Sequence, residues 1–219
     1  SITGGGADSQ LIAARTYVKP VSFFLPESPL NIFALGLTVA TDLNAPSSVD
    51  ADGDGNIDVD PETEDVLVAE TEGVTIVGLD FEAEVLNNSI IEMVPYTDLN
   101  FIVGAGMGFH LGLDTKFKLP VGFDFQIPVL VEYRHFQSNY IPKYFDTFYE
   151  IERFSLVGQS ALPKGQYLMS EALEGQEALN GVYGELGFDF MGLVTIAGKY
   201  EHYAKTDAEV AAEEAAEAA

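Results

Sequence analysis

Phe101-Ile-Val103-Gly-Ala105-Gly-Met107-Gly-Phe109-His-Leu111-Gly-Leu113 alternates with period two. The odd positions are apolar throughout. The even ones read Ile102, Gly104, Gly106, Gly108, His110, Gly112 and Asp114. Side chains on an extended chain point to alternate sides, so the stretch predicts a strand with one apolar face and one face of glycine and polar groups. The odd face continues through Phe117, Leu119, Val121, Phe123, Phe125, Ile127, Val129, Val131 and Tyr133. Opposite it stand Lys116, Lys118, Gly122, Asp124, Gln126, Glu132 and Arg134. One strand of this length, at about 3.3 Å per residue, would overshoot a bilayer core of about 30 Å. A turn must interrupt it, and Leu119-Pro120-Val121-Gly122 is the natural place. A three-residue loop leaves its flanking residues on the same face, as the unbroken parity requires.

The same pattern recurs outward from this hairpin. Leu186, Phe188 and Phe190 share a face with Val194, Ile196, Tyr200 and His202 across Met191-Gly192-Leu193, while Glu185, Asp189, Lys199 and Glu201 point the other way. Phe33, Leu35, Leu37 and Val39 alternate with Ala34, Gly36, Thr38 and Ala40. Val77, Leu79, Phe81, Ala83 and Val85 alternate with Asp80, Glu82 and Glu84, before an Asn87-Asn88-Ser89 turn. Short turns are expected near Pro26–Pro29, Asn87, Pro120 and Gly192, and longer connectors at 43–73, 136–146 and 157–180. Eight to ten strands result, with 145–156 as a candidate member. Residues 206–219 are rich in Ala and Glu and are expected to be an acidic tail, disordered or a frayed helix rather than a strand.

Composition narrows the function. The 219 residues carry 35 acidic against 10 basic side chains, a formal net charge of −25. Such a surface repels nucleic-acid phosphates and attracts divalent cations, so nucleic acid is not an expected partner. There is no cysteine, hence no disulfide framework and no thiolate chemistry. No apolar run approaches the roughly 18 residues of a membrane-spanning helix, and the opening Ser1-Ile-Thr-Gly-Gly-Gly6 does not have the form of a signal peptide. An exported protein would therefore be present here as a mature form or an excised piece.

A soluble β-sandwich also alternates apolar with polar residues. Three features favour a barrel in lipid. The polar face is rich in glycine and acidic groups, as suits a confined hydrated interior. Tyr133, Phe136, Tyr140, Tyr144, Tyr200 and Tyr203 gather near strand ends, where an interfacial aromatic girdle would lie. The strands are longer than the usual five or six residues of a sandwich. The hairpins at 103–133 and 186–202 resemble those of Gram-negative outer-membrane β-barrel proteins, over most of 31–135 and 181–204. The resemblance implies an all-β, antiparallel up-and-down transmembrane β-barrel over 1–205, alone or as part of a larger barrel. It also implies membrane lipid and other envelope proteins as partners, and the bacterial outer membrane as location. Short turns would be periplasmic and long loops external. Such barrels commonly end on an aromatic strand residue, whereas this chain ends Ala-Ala-Glu-Ala-Ala; a piece of a longer chain is expected.

One motif carries sharper chemistry: Asp50-Ala-Asp52-Gly-Asp54-Gly55-Asn56-Ile57-Asp58-Val59-Asp60. Calcium takes six to eight oxygen ligands, and alternating Asp residues around a glycine turn can aim carboxylates at one centre. The twelfth position is Pro61 rather than the bidentate Glu of an EF-hand, and no helical pattern flanks the loop. The segment resembles the Asp-rich repeats of thrombospondin type 3 and related bacterial surface proteins. That resemblance makes Asp50, Asp52, Asp54, Asp58 and Asp60 calcium (Ca2+) ligands, with Asn56 offering its backbone oxygen. Glu62, Glu64 and Asp65 are secondary candidates.

His110, His135 and His202 form no metal-binding array, and no catalytic elbow or phosphate loop is present. Gly104-Ala-Gly106-Met-Gly108 reads as a strand face rather than a nucleotide loop. The expectation is a non-enzymatic barrel serving as scaffold, small porin or envelope-assembly component, with a calcium-stabilised external loop. The alternative is a secreted calcium-binding β-sandwich adhesion module.

Overall fold

The computed structural model describes residues 10–50, 52, 54, 56–120, 122–154, 156–157, 162–163 and 178–204. Eight long strands dominate: β1 Leu11–Val18, β2 Phe33–Ser48, β3 Glu70–Ala83, β4 Ile91–Ile102, β5 Met107–Pro120, β6 Asp124–Phe136, β7 Leu179–Phe190 and β8 Val194–Tyr203. They form one antiparallel sheet in sequence order, each strand pairing with the next. The two-residue strand Leu86–Asn87 adds to β4, and Leu156–Val157 pairs separately with Leu162–Pro163. Two short α-helices, α1 Pro20–Phe24 between β1 and β2 and α2 Tyr149–Glu152 between β6 and β7, and a 3-10 turn at Pro29–Ile32 complete the described elements.

The register turns the sequence alternation into two faces. One row of paired residues crosses every strand: Tyr17, Gly36, Asp80, Asp98, His110, Arg134, Gly181, Tyr203. The adjacent row is Val18, Leu35, Phe81, Thr97, Leu111, Tyr133, Val182, His202. Polar and apolar rows thus point to opposite sides of one layer. On the apolar side Phe125 packs against Phe190 with ring centroids 4.8 Å apart, and Phe33 stacks on Phe81 at 5.6 Å. Cross-strand aromatic pairs of this kind stabilise a sheet.

The polar face is concave. Alternate strands of a flat sheet lie about 10 Å apart, too far for most side chains to meet. Here Arg15 of β1 reaches Asp80 of β3 at 2.7 Å, Tyr96 of β4 bonds Glu132 of β6, and Arg134 of β6 reaches Glu201 of β8 at 2.6 Å. For the first two a glycine on the strand between clears the way, whereas Arg134 crosses β7 over the Tyr183 ring, 4.2 Å from its centroid. A Cβ on Gly36 would overlap the Asp80 carboxylate, one on Gly112 the Tyr96 ring, and one on Gly181 the Tyr203 ring.

The sheet is not closed. β1 and β8 each keep one edge without a partner strand among the described residues, so the expected barrel is present as a curled, open sheet. The rows above climb as they cross it. Tyr17, near the short-turn end of β1, is level with Tyr203 at the long-loop end of β8. A closed barrel absorbs such a stagger as shear.

Several local expectations change. Tight three-residue loops stand where parity placed them, with Pro120 opposite Asp124 and Phe190 opposite Val194. Gly122 and Gly192 take φ of 89° and 66°, which glycine adopts without steric cost. The run from Phe101 to Leu113 is not one strand. It breaks after Ile102, and 103–106 turn the chain so that Phe101 pairs with Met107. A five-residue loop also preserves parity, so alternation alone does not reveal it. The glycine-rich 104–108 segment is therefore largely a turn. The 43–73 connector shrinks, because β2 runs to Ser48 and β3 begins at Glu70. The candidate strand at 145–156 instead contains the helix α2. Of 157–180, most lies outside the described residues, as does the 206–219 tail.

Candidate calcium loop and plugged concave face

The connectors that follow Ser48 and Phe136 leave from one end of the sheet, whereas the short turn expected near Pro26–Pro29 is instead part of a long connector, 19–32, at the other end, where it carries α1 and the 3-10 turn Pro29–Ile32. Both candidate sites lie at the end beyond Ser48 and Phe136.

The acidic loop is tethered at its base. Asp58 N donates to the Val49 carbonyl at 2.9 Å, Leu67 N donates to the Asp58 carbonyl at 2.9 Å, and Val59 bridges Val66. Between these ties the Asp side chains fold the backbone locally. Asp54 N donates to Oδ1 of both Asp50 and Asp52 at 3.1 Å, and Asn56 N donates to Asp54 Oδ1 at 2.8 Å. Asp residues favour such turns because their short carboxylates reach backbone amides two residues on. The Asn56 hydrogen bonds hold the Asp54 carboxyl below the usual carboxylate range.

Of the six expected ligands, three converge. One carboxylate oxygen each from Asp50, Asp52 and Asp58 lies within 4.8 Å of the others. Asp54 stands beside them with its carboxylate on Asn56 N. Asp60 does not join the group: its Oδ1 accepts from Glu62 N at 2.7 Å and Thr63 N at 3.2 Å, which builds the following turn. Glu64 has a φ of 60° and its N–H donates to the Asp60 carbonyl at 2.8 Å. The three-carboxylate group offers hard oxygen donors of the kind calcium takes.

The second site went unseen in the sequence. Residues 137–154 fold back onto the concave face at the same end. Tyr144 and Tyr149 are buried in a cluster with Ala45, Val74 and Ile102. Asp42, fully buried on β2, is the polar anchor. It accepts from Tyr149 Oη at 2.8 Å and from Asn44 N at 2.9 Å, and lies 3.3 Å from Arg153 Nη1. Arg153 is 1% exposed and donates to the Asn44 carbonyl as well. Burial pushes the Tyr144 hydroxyl up to about 12 and raises that of Tyr149 further. A buried charge requires a partner of opposite sign, and Asp42 and Arg153 supply each other. The signal in the sequence was a lone inward Asp beside Asn44; its cation, Arg153, comes more than a hundred positions later, beyond the reach of any local pattern.

The expected aromatic girdle divides. Tyr133 and Tyr200 lie exposed on the convex face, whereas Phe136 and Tyr144 are buried and Tyr140 and Tyr203 pack against Phe136. These rings serve the plug rather than the outer rim, because Phe136 and Tyr203 fall on the inward parity. His110 points inward as expected, with Nδ1 3.7 Å from Glu132 Oε1. No family model, curated protein or solved structure matches the chain.

Proposed function

We propose that the chain is an outer-membrane β-barrel of scaffold type, whose sheet closes through β1 and β8 in lipid and whose external end carries a calcium-stabilised loop. The observation that carries this reading is the convex face. Leu37, Leu111, Val131, Leu186 and Ile196 are 45%, 53%, 58%, 48% and 62% exposed, on strands spread across the whole sheet. A contiguous apolar surface of this extent calls for a nonpolar environment, and no second layer covers it among the described residues. In a sandwich, that face would be packed against another sheet.

Two features support closure. The strand number is even, so the first and last strands run antiparallel, and both present apolar residues to the convex side: Ile12 and Val18 on β1, Val194 and Ile196 on β8. Backbone groups left unpaired in hydrocarbon cost several kcal/mol each, so a lipid environment drives the two edges together. A scaffold is favoured over an open porin by the ion-paired concave face and by the 137–154 plug. Calcium bound by Asp50, Asp52 and Asp58 would rigidify the 49–69 loop, in an external medium where weak sites fill.

Solubility and gel mobility test the reading. The protein should need detergent micelles to stay monodisperse and should migrate faster unheated than boiled. Monodispersity in plain buffer with no heat shift would overturn it.

A further inference from the structure

The two ends of the sheet differ in chemistry. The 49–69 connector carries eight acidic residues and no basic one, whereas 19–32 at the opposite end carries one of each, Lys19 and Glu27. Turns in water favour Gly, Asn, Asp and Ser at their tips. Here every turn at the 19–32 end adds large apolar groups. Phe23 and Phe24 are 77% and 83% exposed, more than any of the convex strand residues named above. Leu25, Ile90, Phe123, Met191 and Leu193 are exposed beside the same end.

The 19–32 connector is built to hold these side chains outward. Ser22 N donates to the Lys19 carbonyl at 3.1 Å, Leu25 N to Val21 at 2.8 Å, Ser28 N to Leu25 at 3.0 Å and Asn31 N to Ser28 at 3.1 Å. Leu30 N donates to Ser28 Oγ at 3.2 Å, and the Asn31 amide donates to the Pro26 carbonyl. A segment whose amides are bonded internally can leave water at little cost. Its polar side chains are spent on these bonds, so the tip offers carbon and one cation. The exposed Lys19 has no ion pair among the described residues. The connector begins after Val18 and ends at Phe33, both on the apolar side of the sheet, so its apolar surface continues the convex one.

We infer that the 19–32 connector docks this end of the barrel in the headgroup region of a phospholipid leaflet. Phe23, Phe24 and Leu25 enter among the upper acyl carbons, and Lys19 pairs with a lipid phosphate. Aromatic rings with a neighbouring cation suit that boundary. A protein partner would instead be met by matched polar groups, which this tip lacks. The inference rests on the barrel reading and adds to it that the 19–32 end stays in the membrane while the acidic end stands in water.

The chain contains no tryptophan, so Phe24→Trp and Leu111→Trp each give the full chain a single emitter. Both are reconstituted in vesicles of phosphatidylcholine and phosphatidylglycerol, and quenched by acyl-brominated phospholipid or by aqueous acrylamide. Expected is lipid quenching of both, with Phe24→Trp quenched best by bromine near the headgroup and shielded from acrylamide. Adding Lys19→Glu to Phe24→Trp should reduce its lipid quenching about twofold, as a carboxylate replaces the cation at an anionic surface. Acrylamide access to Phe24→Trp, with Leu111→Trp still quenched by lipid, would overturn the inference and leave the barrel standing. Acrylamide access to both would overturn the barrel with it. Shielding of Phe24→Trp from both quenchers, as a second copy or another protein would give, or indifference to Lys19→Glu, would also overturn the inference.

Discussion

Arg15 on β1 reaches across Gly36 of β2 to Asp80 on β3, with Nη2 2.7 Å from Oδ2. The same construction recurs where Tyr96 reaches Glu132 over Gly112. The inward glycines are thus gaps through which alternate strands bond, and they hold the curl of the sheet. Gly112→Ala would drive a methyl into the Tyr96 ring and should destabilise the protein by about 1–3 kcal/mol. Gly198→Ala, on the convex face with nothing within 4 Å of the new atom, should be close to neutral. Urea titration in micelles compares the two; equal effects would contradict the role given to the inward glycines.

The Asp42–Arg153 pair makes a second prediction. Removing one partner of a buried ion pair leaves the other charge stranded, at a cost of about 3–5 kcal/mol. Asp42→Ala and Arg153→Ala should each release the 137–154 segment to protease. The double variant should lose less than the sum, because neither charge is then left alone.

Alkali should act at the same place. The phenols of Tyr140 and Tyr144 are both pushed up to about 12 by burial, against an ordinary value of 10.0. Their raised folded values mean that this stability is complete below pH 10 and is lost as pH rises through 12. Near-ultraviolet circular dichroism should show plug release in that window, well after exposed tyrosines have ionised.

Calcium should protect the 49–69 loop from proteolysis, and chelation should remove the protection. Asp52→Asn or Asp58→Asn should weaken binding about tenfold, roughly 1.4 kcal/mol. Asp60→Asn should matter less, since its carboxylate caps the turn at Glu62 and Thr63. Acid should release the calcium, because protons compete with the ion for the carboxylates that hold it. The Asp54 turn should outlast that loss, since hydrogen bonds from Asn56 hold its carboxyl below the usual range and its contribution is lost only as pH falls through that lower value. Equal calcium affinity in all four proteins would refute the site.

Much of this architecture is legible from residue parity. The inward and outward rows of β2 to β8 follow directly from alternation, because a one-residue slip would move every side chain to the wrong face. The same rule hides odd-length turns, so the break at 103–106 passed as strand. The plug was invisible for another reason: Tyr149 and Arg153 are placed by Asp42, more than a hundred residues away in the chain. In the acidic loop the motif gave the donor types. Which carboxylates converge depended on hydrogen bonds that turn Asp60 away from the others.

The central claim is that the convex rows face hydrocarbon and the concave rows do not. Because the chain lacks cysteine, single nitroxide labels can be placed at will in protein reconstituted in phospholipid vesicles. Leu37→Cys, Leu111→Cys, Val131→Cys and Ile196→Cys sample the convex face, and Thr38→Cys, Leu130→Cys and Ala197→Cys the concave one. The account predicts that convex labels are relaxed by dissolved oxygen and shielded from a water-soluble nickel chelate, while concave labels are not oxygen-accessible. Convex labels as open to the chelate as those on an aqueous surface, or buried from both reagents, would contradict it.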